Sequence, residues 1–223
     1  MSTPMKNENL DDIFNILRND HSEFDKDEAI DIIGDNPFQL FNNWYKEAFD
    51  KKQPEPNAFS LSTSDPNGCP SSRIVYLKEL IAGKFVFYTN YNSQKGSELK
   101  ENPNAAMLFF WPGLEKQIRI EGYCEKVEPE ISDDYFNSRP NSSKLGAWAS
   151  QQSDPLTDRS ELENRLRYFS EKFKTNIPRP PHWGGYYLLP RKIEFWKGRP
   201  SRLHDRIVWE LKENKWVIYR KNP

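Results

Sequence analysis

Four short stretches of the chain set a cation beside hydroxyl or amide side chains near a strand or helix end. The first is Arg73-Ile74-Val75-Tyr76-Leu77-Lys78. The second runs from Tyr88-Thr89 through Asn90, Ser93 and Gln94 to Lys95 and leads into a helix at Ser97 to Glu101. The third is Tyr135 to Pro140, with Arg139, followed by Ser142-Ser143. The fourth is Arg202-Leu203-His204-Asp205-Arg206. Cations and hydroxyls at a helix start suit a phosphate, because unpaired backbone N–H groups and side-chain donors converge there. Each stretch also has a plainer reading. Lys95 could be solvated, Arg139 could cap the preceding helix, and Arg73 could be an edge-strand charge. Arg202, His204 and Arg206 could pair with Asp205 at the surface, and Trp196 could be core. Four such stretches in one chain imply more than one anionic group to bind. Arg73 and Lys78 stand an odd number of positions apart, so an ideal strand points them to opposite faces. They are therefore expected to serve different groups.

Other chemistries find less support. The chain has no GxGxxG, P-loop, HExxH or GxSxG motif, and its three histidines, His21, His182 and His204, are scattered. No metal site is expected. Two cysteines, Cys69 and Cys124, make no disulfide scaffold and no CxxC pair. Lys plus Arg is 32 and Asp plus Glu 33, a net charge of −1, which argues against a nucleic-acid footprint. No apolar run approaches the length of a membrane helix. The polar, acidic start of the sequence predicts no signal peptide, so a cytoplasmic location is expected. Aromatics make up 14% of residues, with seven tryptophans, in a chain only 36% hydrophobic. This predicts a small core built from rings; a flat-ligand site or an aromatic-rich interface is the alternative.

The elements that must carry these residues follow from pattern and punctuation. Leu10, Ile13, Phe14 and Leu17 have helical spacing, and the charged stretch His21 to Glu28 is expected to be mobile. Asn36-Pro37 starts a helix that continues through Phe38, Phe41, Tyr45 and Ala48. Short strands follow at Ala58–Thr63, Arg73–Lys78, Lys84–Thr89, Ala105–Trp111 and Gln117–Val127, with turns at Asp65–Gly68, Ala82-Gly83 and Pro112-Gly113. Helices are expected at Pro129–Ser138, near Ser143–Ala149, and from Thr157 to about Lys174, the last with Leu162, Leu166, Phe169 and Phe173 on one face. Strands return at Tyr186–Leu189, Ile193–Trp196, Ile207–Leu211 and Trp216–Tyr219, with Asn214 in the last hairpin turn. The reading is one α+β domain: a central antiparallel barrel with helices outside.

The set of motifs resembles the pyridoxine (pyridoxamine) 5′-phosphate oxidase family, FMN enzymes that make pyridoxal 5′-phosphate. The stretches are SRIVYLK (72–78), FVFYTNYNSQKG (85–96), LEKQIRIEG (114–122), YFNSRP (135–140), GAWASQQS (146–153), HWGGY (182–186), IEFW (193–196) and RLHDR (202–206). Their order fits from about Leu10 onward. The resemblance implies an FMN-binding antiparallel split β-barrel over residues 31–223, a mobile N-terminal lid over 1–30, and a homodimer with two flavins at its interface. It implies that Arg73 and Lys95 hold the FMN phosphate with Thr89 and Ser153, and that the backbone of Ile74, Val75, Tyr76 and Leu77, with Lys78, Tyr88 and Gln117, lines the flavin. Gln152, Trp196 and Arg206 complete the site, some from the partner chain. Lys78, Tyr135, Arg139 and Ser143 would grip the substrate phosphate. Arg202, Leu203 and His204 would lie over the pyridine ring, and Arg18 and His21 would belong to the lid. The implied reaction is hydride transfer from substrate C4′ to flavin N5, with O2 taking the electrons as peroxide. Gln94 departs from the family's usual arginine, His21 from its usual tyrosine, and Tyr76 from a usual aliphatic. Two rivals remain: another split-barrel flavoprotein that reduces or stores flavin, and a non-enzymatic barrel that stacks single-stranded RNA on aromatics.

Overall fold

The computed structural model describes Leu10, Ile13, Phe14, Arg18, Phe24 and residues 28–223. Leu10, Ile13 and Phe14 have helical backbone, and the Arg18 N–H donates to the Phe14 carbonyl. Leu17 and His21, and most of the expected lid, lie outside the described residues.

Helix α1 (Pro37–Asp50) begins where Asn36 accepts a hydrogen bond from the Phe38 N–H, with proline in the first turn. It lays Leu40, Phe41, Trp44 and Ala48 on the sheet. The strands are β1 (Ala58–Ser64), β2 (Pro70–Tyr76), β3 (Glu79–Ile81), β4 (Lys84–Asn90), β5 (Asn104–Trp111), β6 (Lys116–Lys126), β7 (Trp183–Lys197), β8 (Asp205–Lys212) and β9 (Lys215–Arg220). They form one antiparallel sheet in the order β2-β1-β5-β6-β7-β4-β3, with β8 and β9 branching from β7. The sheet divides at β7. Its first half pairs with β4 and its second half with β8, while β6 runs along both. The sheet curls so that β2 comes up to β4, and the Lys78 N–H, just before β3, donates to the Val86 carbonyl on β4 at 2.9 Å. This is an α+β split barrel, as expected.

The interior is aromatic. Phe59, Phe85, Phe87, Phe109, Trp111 and Phe195 are buried, and Phe41 meets Phe85 edge-on at 4.9 Å. Two-residue turns with left-handed backbone at both positions, Ala82-Gly83 and Glu213-Asn214, close the hairpins β3–β4 and β8–β9.

Three expectations need correction. The strand through Arg73 ends at Tyr76, where the Leu77 N–H turns to the Asn57 carbonyl, so Lys78 is not in it. The face-parity inference for Arg73 and Lys78 fails with it, and the three-residue β3 was not foreseen. The two strands expected at Tyr186–Leu189 and Ile193–Trp196 are one, β7. Pairing shifts between Glu121 and Gly122, leaving Arg191 as the extra residue of a bulge beside Pro190. A bulge is where a strand tolerates a residue without an N–H.

Helices α2 (Gln94–Glu101), α3 (Pro129–Ser138), α4 (Asn141–Ala149) and α5 (Arg159–Lys172) pack outside. The apolar face of α5 is only partly covered. Trp148 meets Phe169 and Phe173, but Leu166 stays 41% exposed.

The bulge depends on Gly122, where an added Cβ would stand 2.0 Å from the Leu189 carbonyl oxygen. Gly122→Ala should cost about 1–3 kcal/mol by forcing the strands apart. That corresponds to about 2–4 °C of Tm per kcal/mol in a chain of this size, read by thermal unfolding. Gly146→Ala, in helix α4 with open space around the new methyl, should not lower Tm.

Candidate functional site

The seam between the edge strand β2 and strand β4 opens into a cavity of about 540 Å³. Strand β2 pairs with β1 alone, so its outer backbone groups border this space. Arg73, Ile74, Val75 and Tyr76 line it from β2, Tyr88 and Thr89 from β4, and Gln94 and Lys95 from the start of α2. Lys78, Gln152, Ser153 and Trp183 complete the wall. Arg73 and Lys78 thus share one cavity, opposite to the parity expectation.

At one part of the wall the cations are held by hydroxyls. Ser93 caps α2, accepting from the Gly96 N–H, which turns the first helical turn toward the cavity. Lys95 is 6% exposed, and its ammonium donates to Thr89 Oγ1 and Ser93 Oγ, both at 3.2 Å. It is not the solvated lysine of the plainer reading. Burial, then the charge of Arg73, lowers its pKa to about 8, against the opposing pull of Glu98. Arg73 donates to Thr63 and Ser71 and lies 3.4 Å from the Glu98 carboxylate. Glu98 is buried and also accepts from Thr63, Ser71 and Gln94. Burial pushes its pKa up, but those hydrogen bonds and Arg73 outweigh it and hold the carboxyl below the usual range.

At another part the wall is aromatic, formed by Tyr76, Tyr88 and Trp183, with Tyr135 and Arg139 packed on these residues outside the lining. Tyr88 stacks on Tyr135 at 4.0 Å and on Trp183 at 5.4 Å. The Lys78 ammonium lies over the Tyr76 and Tyr135 rings. The Arg139 guanidinium lies 4.6 Å from the Trp183 ring, and its Nη1 is buried with no hydrogen-bond partner. Burial lowers the Arg139 pKa. The Arg139 N–H closes the end of α3 on the Phe136 carbonyl, but the side chain faces the rings rather than capping. Ser143 sits in the first turn of α4, outside the lining.

The remaining predicted residues do not line this cavity. Leu77 is core, and its N–H is bonded to Asn57. Gln117, Trp196 and Arg206 stand side by side across β6, β7 and β8. His204 packs on Trp196 at 4.6 Å, with Arg202 and Leu203 exposed beside it. Burial and the charges of Arg202 and Arg206 lower the His204 pKa. Arg206 donates through Nε and Nη2 to the buried Glu194 carboxylate and through Nη1 to the Asn222 carbonyl. Asp205 does not pair with this cluster. It accepts from Arg220 and from the Ile30 N–H. Arg18 is exposed, and His21 lies outside the described residues.

Glu98 and Trp183 join the site without having been singled out. Glu98 follows Gln94 by four residues, the spacing that puts two side chains on one helix face. Trp183 was visible only as part of a motif.

The fold and cavity define a class: an α+β split barrel whose open strand edge carries a cation-lined pocket. Comparison with known proteins narrows this. A family model described as pyridoxamine 5′-phosphate oxidase matches residues 45–172, and one described as the pyridoxine 5′-phosphate oxidase C-terminal dimerisation region matches 183–223. A protein of Paraburkholderia phymatum named pyridoxine/pyridoxamine 5′-phosphate oxidase is 52% identical over 198 residues, 87% of this chain and 93% of that protein. PhzG from Burkholderia lata 383, solved with tetrahydrophenazine-1-carboxylic acid, superposes with TM-score 0.81 at 30% identity over 88% of this chain and all of that one. A pyridoxamine 5′-phosphate oxidase-related, FMN binding protein from Nostoc punctiforme PCC 73102 shares the fold, with TM-score 0.68 at 14% identity over 86% of this chain and all of that one. The chain belongs to the pyridoxamine 5′-phosphate oxidase family.

The buried ammonium of Lys95 makes a prediction about the ligand-free protein. Folded, Lys95 releases its proton near pH 8; unfolded, near the ordinary 10.5. Between those values the unfolded chain binds more protons, so this group makes stability rise with pH. Lys95→Met should therefore be more stable than the parent at pH 7, and the difference should shrink from about pH 8 to about pH 10. Thermal melts of both proteins across that range read it, and a constant difference would contradict it.

Proposed function

We propose that this chain is an FMN-dependent oxidase, active as a homodimer. It would convert pyridoxamine 5′-phosphate or pyridoxine 5′-phosphate, with O2, to pyridoxal 5′-phosphate and hydrogen peroxide. The observation that carries this is one cavity lined by Arg73 and Lys95 at one part and by Lys78, Tyr88 and Trp183 at another, with Arg139 packed on the Trp183 ring just outside the lining. Two phosphorylated aromatic molecules, a cofactor and a substrate, match that arrangement.

The residues fit FMN. Arg73, Lys95, Thr89 and Ser153 suit its phosphate, and the α2 N-terminus adds backbone donors. The outer edge of β2 from Ile74 to Tyr76, with Lys78, Tyr88 and Gln152, borders space for a flat ring. Gln117, Trp196 and Arg206 would come from the partner chain. On the outer face of the sheet, Ile74, Leu108 and Phe110 are exposed in the rows that contain them. Arg139 fits a substrate phosphate, since a buried guanidinium nitrogen without an acceptor favours an anion there. Lys78, Tyr135 and Ser143 would share that phosphate. Arg202, Leu203 and His204 would cover the pyridine ring, with Arg18 and His21 in a lid above it.

When bound, FMN supplies the redox chemistry, taking two electrons and a proton from the substrate C4′ and yielding the electrons to O2. The protein's part is orientation. Gripping the phosphate uses binding energy remote from C4′ to fix C4′ against the cofactor. With the amine substrate, water completes the balance by releasing ammonia from C4′.

Purified protein loaded with FMN should form pyridoxal 5′-phosphate and peroxide in equal amounts from either phosphorylated vitamer, and should act poorly on unphosphorylated pyridoxine. A flavin-loaded preparation that makes no aldehyde from either would overturn the oxidase reading in favour of another split-barrel flavoprotein. Gln94 gives a second test. It lines the cavity and donates to Glu98 Oε1 at 2.9 Å, with no charge of its own. Gln94→Arg keeps a donor and adds a cation, so FMN affinity should rise by about a few-fold to tenfold with turnover little changed. Flavin fluorescence titration at low salt measures it. Unchanged affinity would mean that this side chain does not face the phosphate.

A further inference from the structure

The segment before α1 is fastened to the loop that carries Arg202 and His204. The Glu28 carboxylate meets the Lys197 ammonium at 2.6 Å. The Ile30 N–H donates to Asp205 Oδ2 at 2.7 Å, and Arg220 joins Asp205 to the Ile30 carbonyl. Ahead of these ties stands Phe24. Its ring lies edge-on to Trp196 at 5.6 Å and to His204 at 5.4 Å. A Cβ added at Gly198 would come within 2.6 Å of the Phe24 ring, and its three nearest neighbours are all atoms of that ring.

The loop that Phe24 touches is strained. Ser201 and Arg202 both hold left-handed backbone, φ 56° and 60°, which non-glycine residues keep only when their surroundings enforce it. Within the loop, His204 Nδ1 accepts from the Arg199 N–H at 3.2 Å. A neutral imidazole with Nδ1 as acceptor carries its proton on Nε2. The ring packs on Trp196 and on Phe24, and Phe24 also meets Trp196, so the three rings form a closed triangle that holds the imidazole in that orientation.

We propose that Phe24 is a positioning residue, a clamp on the corner where His204 meets Trp196: it packs on both rings, keeps them together and so fixes Nε2–H as the donor that the loop presents. Its bearing on catalysis rests on the oxidase reading; the clamp itself does not. Among the described residues, the charged groups facing His204 are Arg202 and Arg206. Phe24 and Trp196 bring only bulk, so removing the Phe24 ring changes water access and leaves those two charges in place.

The test uses the full-length, FMN-loaded protein with 15N-labelled histidine. The chain has three histidines, and the His204 signals are identified by their loss in His204→Asn. The parent should show the Nε2–H tautomer and a titration below the ordinary histidine range. Phe24→Ala should mix the tautomers and move the titration upward. It should also lower kcat/KM for pyridoxamine 5′-phosphate by about tenfold with FMN retained. Phe24→Leu, which keeps most of the bulk, should lie between. Gly198→Ala displaces the ring without removing it and should reproduce the change if Phe24→Ala folds poorly. An unmoved His204 tautomer and titration in both variants would overturn the clamp, even with activity lost. A shifted tautomer in a protein that oxidises neither vitamer would uphold the clamp and fail the oxidase reading alone.

Discussion

The cavity exists because the barrel does not close. A closed barrel pairs every edge and leaves no row of free backbone groups. Here β2 pairs on one side only, and the chain that leaves it meets β4 through the hydrogen bond from the Lys78 N–H to the Val86 carbonyl, at the end of the β3–β4 hairpin. On one side of that bond is a core of interlocked rings. On the other, the edge of β2, the end of β4 and the start of α2 stand around open space. Why β2 ends at Tyr76 and β3 begins at Glu79 follows from the same constraint: between them the chain must cross the seam.

The electrostatics of the cavity depend on that openness. Two cations, Arg73 and Lys95, and one carboxylate, Glu98, are brought together out of bulk water, leaving one net positive charge. Buried charges are tolerated when hydrogen-bonded, and Thr63, Ser71, Thr89 and Ser93 provide those bonds. Glu98 holds Arg73 in place, yet it also offsets part of the charge that would attract a phosphate. Gln94 donates to Glu98 without adding charge, so Arg73 and Lys95 are set against one carboxylate, a balance that dilute salt does little to screen within a partly enclosed site.

Much of the fold was legible because local chemistry determines it. Asn36-Pro37, Ala82-Gly83 and Glu213-Asn214 punctuate the chain where the sequence placed a cap and two turns. The cluster of cation and hydroxyls was legible too, because Thr89, Ser93 and Lys95 lie within one strand-to-helix corner. What failed was settled by partners far away in sequence. Lys78 leaves its strand because Leu77 finds Asn57 and Lys78 finds Val86. Strand β7 stays whole through Pro190 because β6 runs alongside and absorbs Arg191 in a bulge. Glu98 reads as an ordinary surface acid until β1 and β2 bring Thr63 and Ser71 to it. Residue type indicated which groups could bind an anion, and long-range pairing decided which of them meet.

Among the described residues, those implicated in the site fall into two sets that stand apart. One set lines the seam. The other, Gln117, Trp196 and Arg206 with His204 beside them, forms a row on the outer face of the sheet. That face also exposes Phe110, in register with Gln117. Three of those four lie in the stretch matched by a dimerisation region. If both sets serve one cofactor, a second copy must supply the row, and a twofold axis makes the exchange reciprocal. The row crosses three hydrogen-bonded strands, and Arg206 is locked to Glu194, so it moves as a rigid unit. Apolar area buried at such a contact then does two things at once: it joins the subunits, and it sets the distance between Trp196 of one and the seam of the other. On that reading, assembly and cofactor binding share one geometry, and a change on the outer face alters the pocket without touching any residue that lines it.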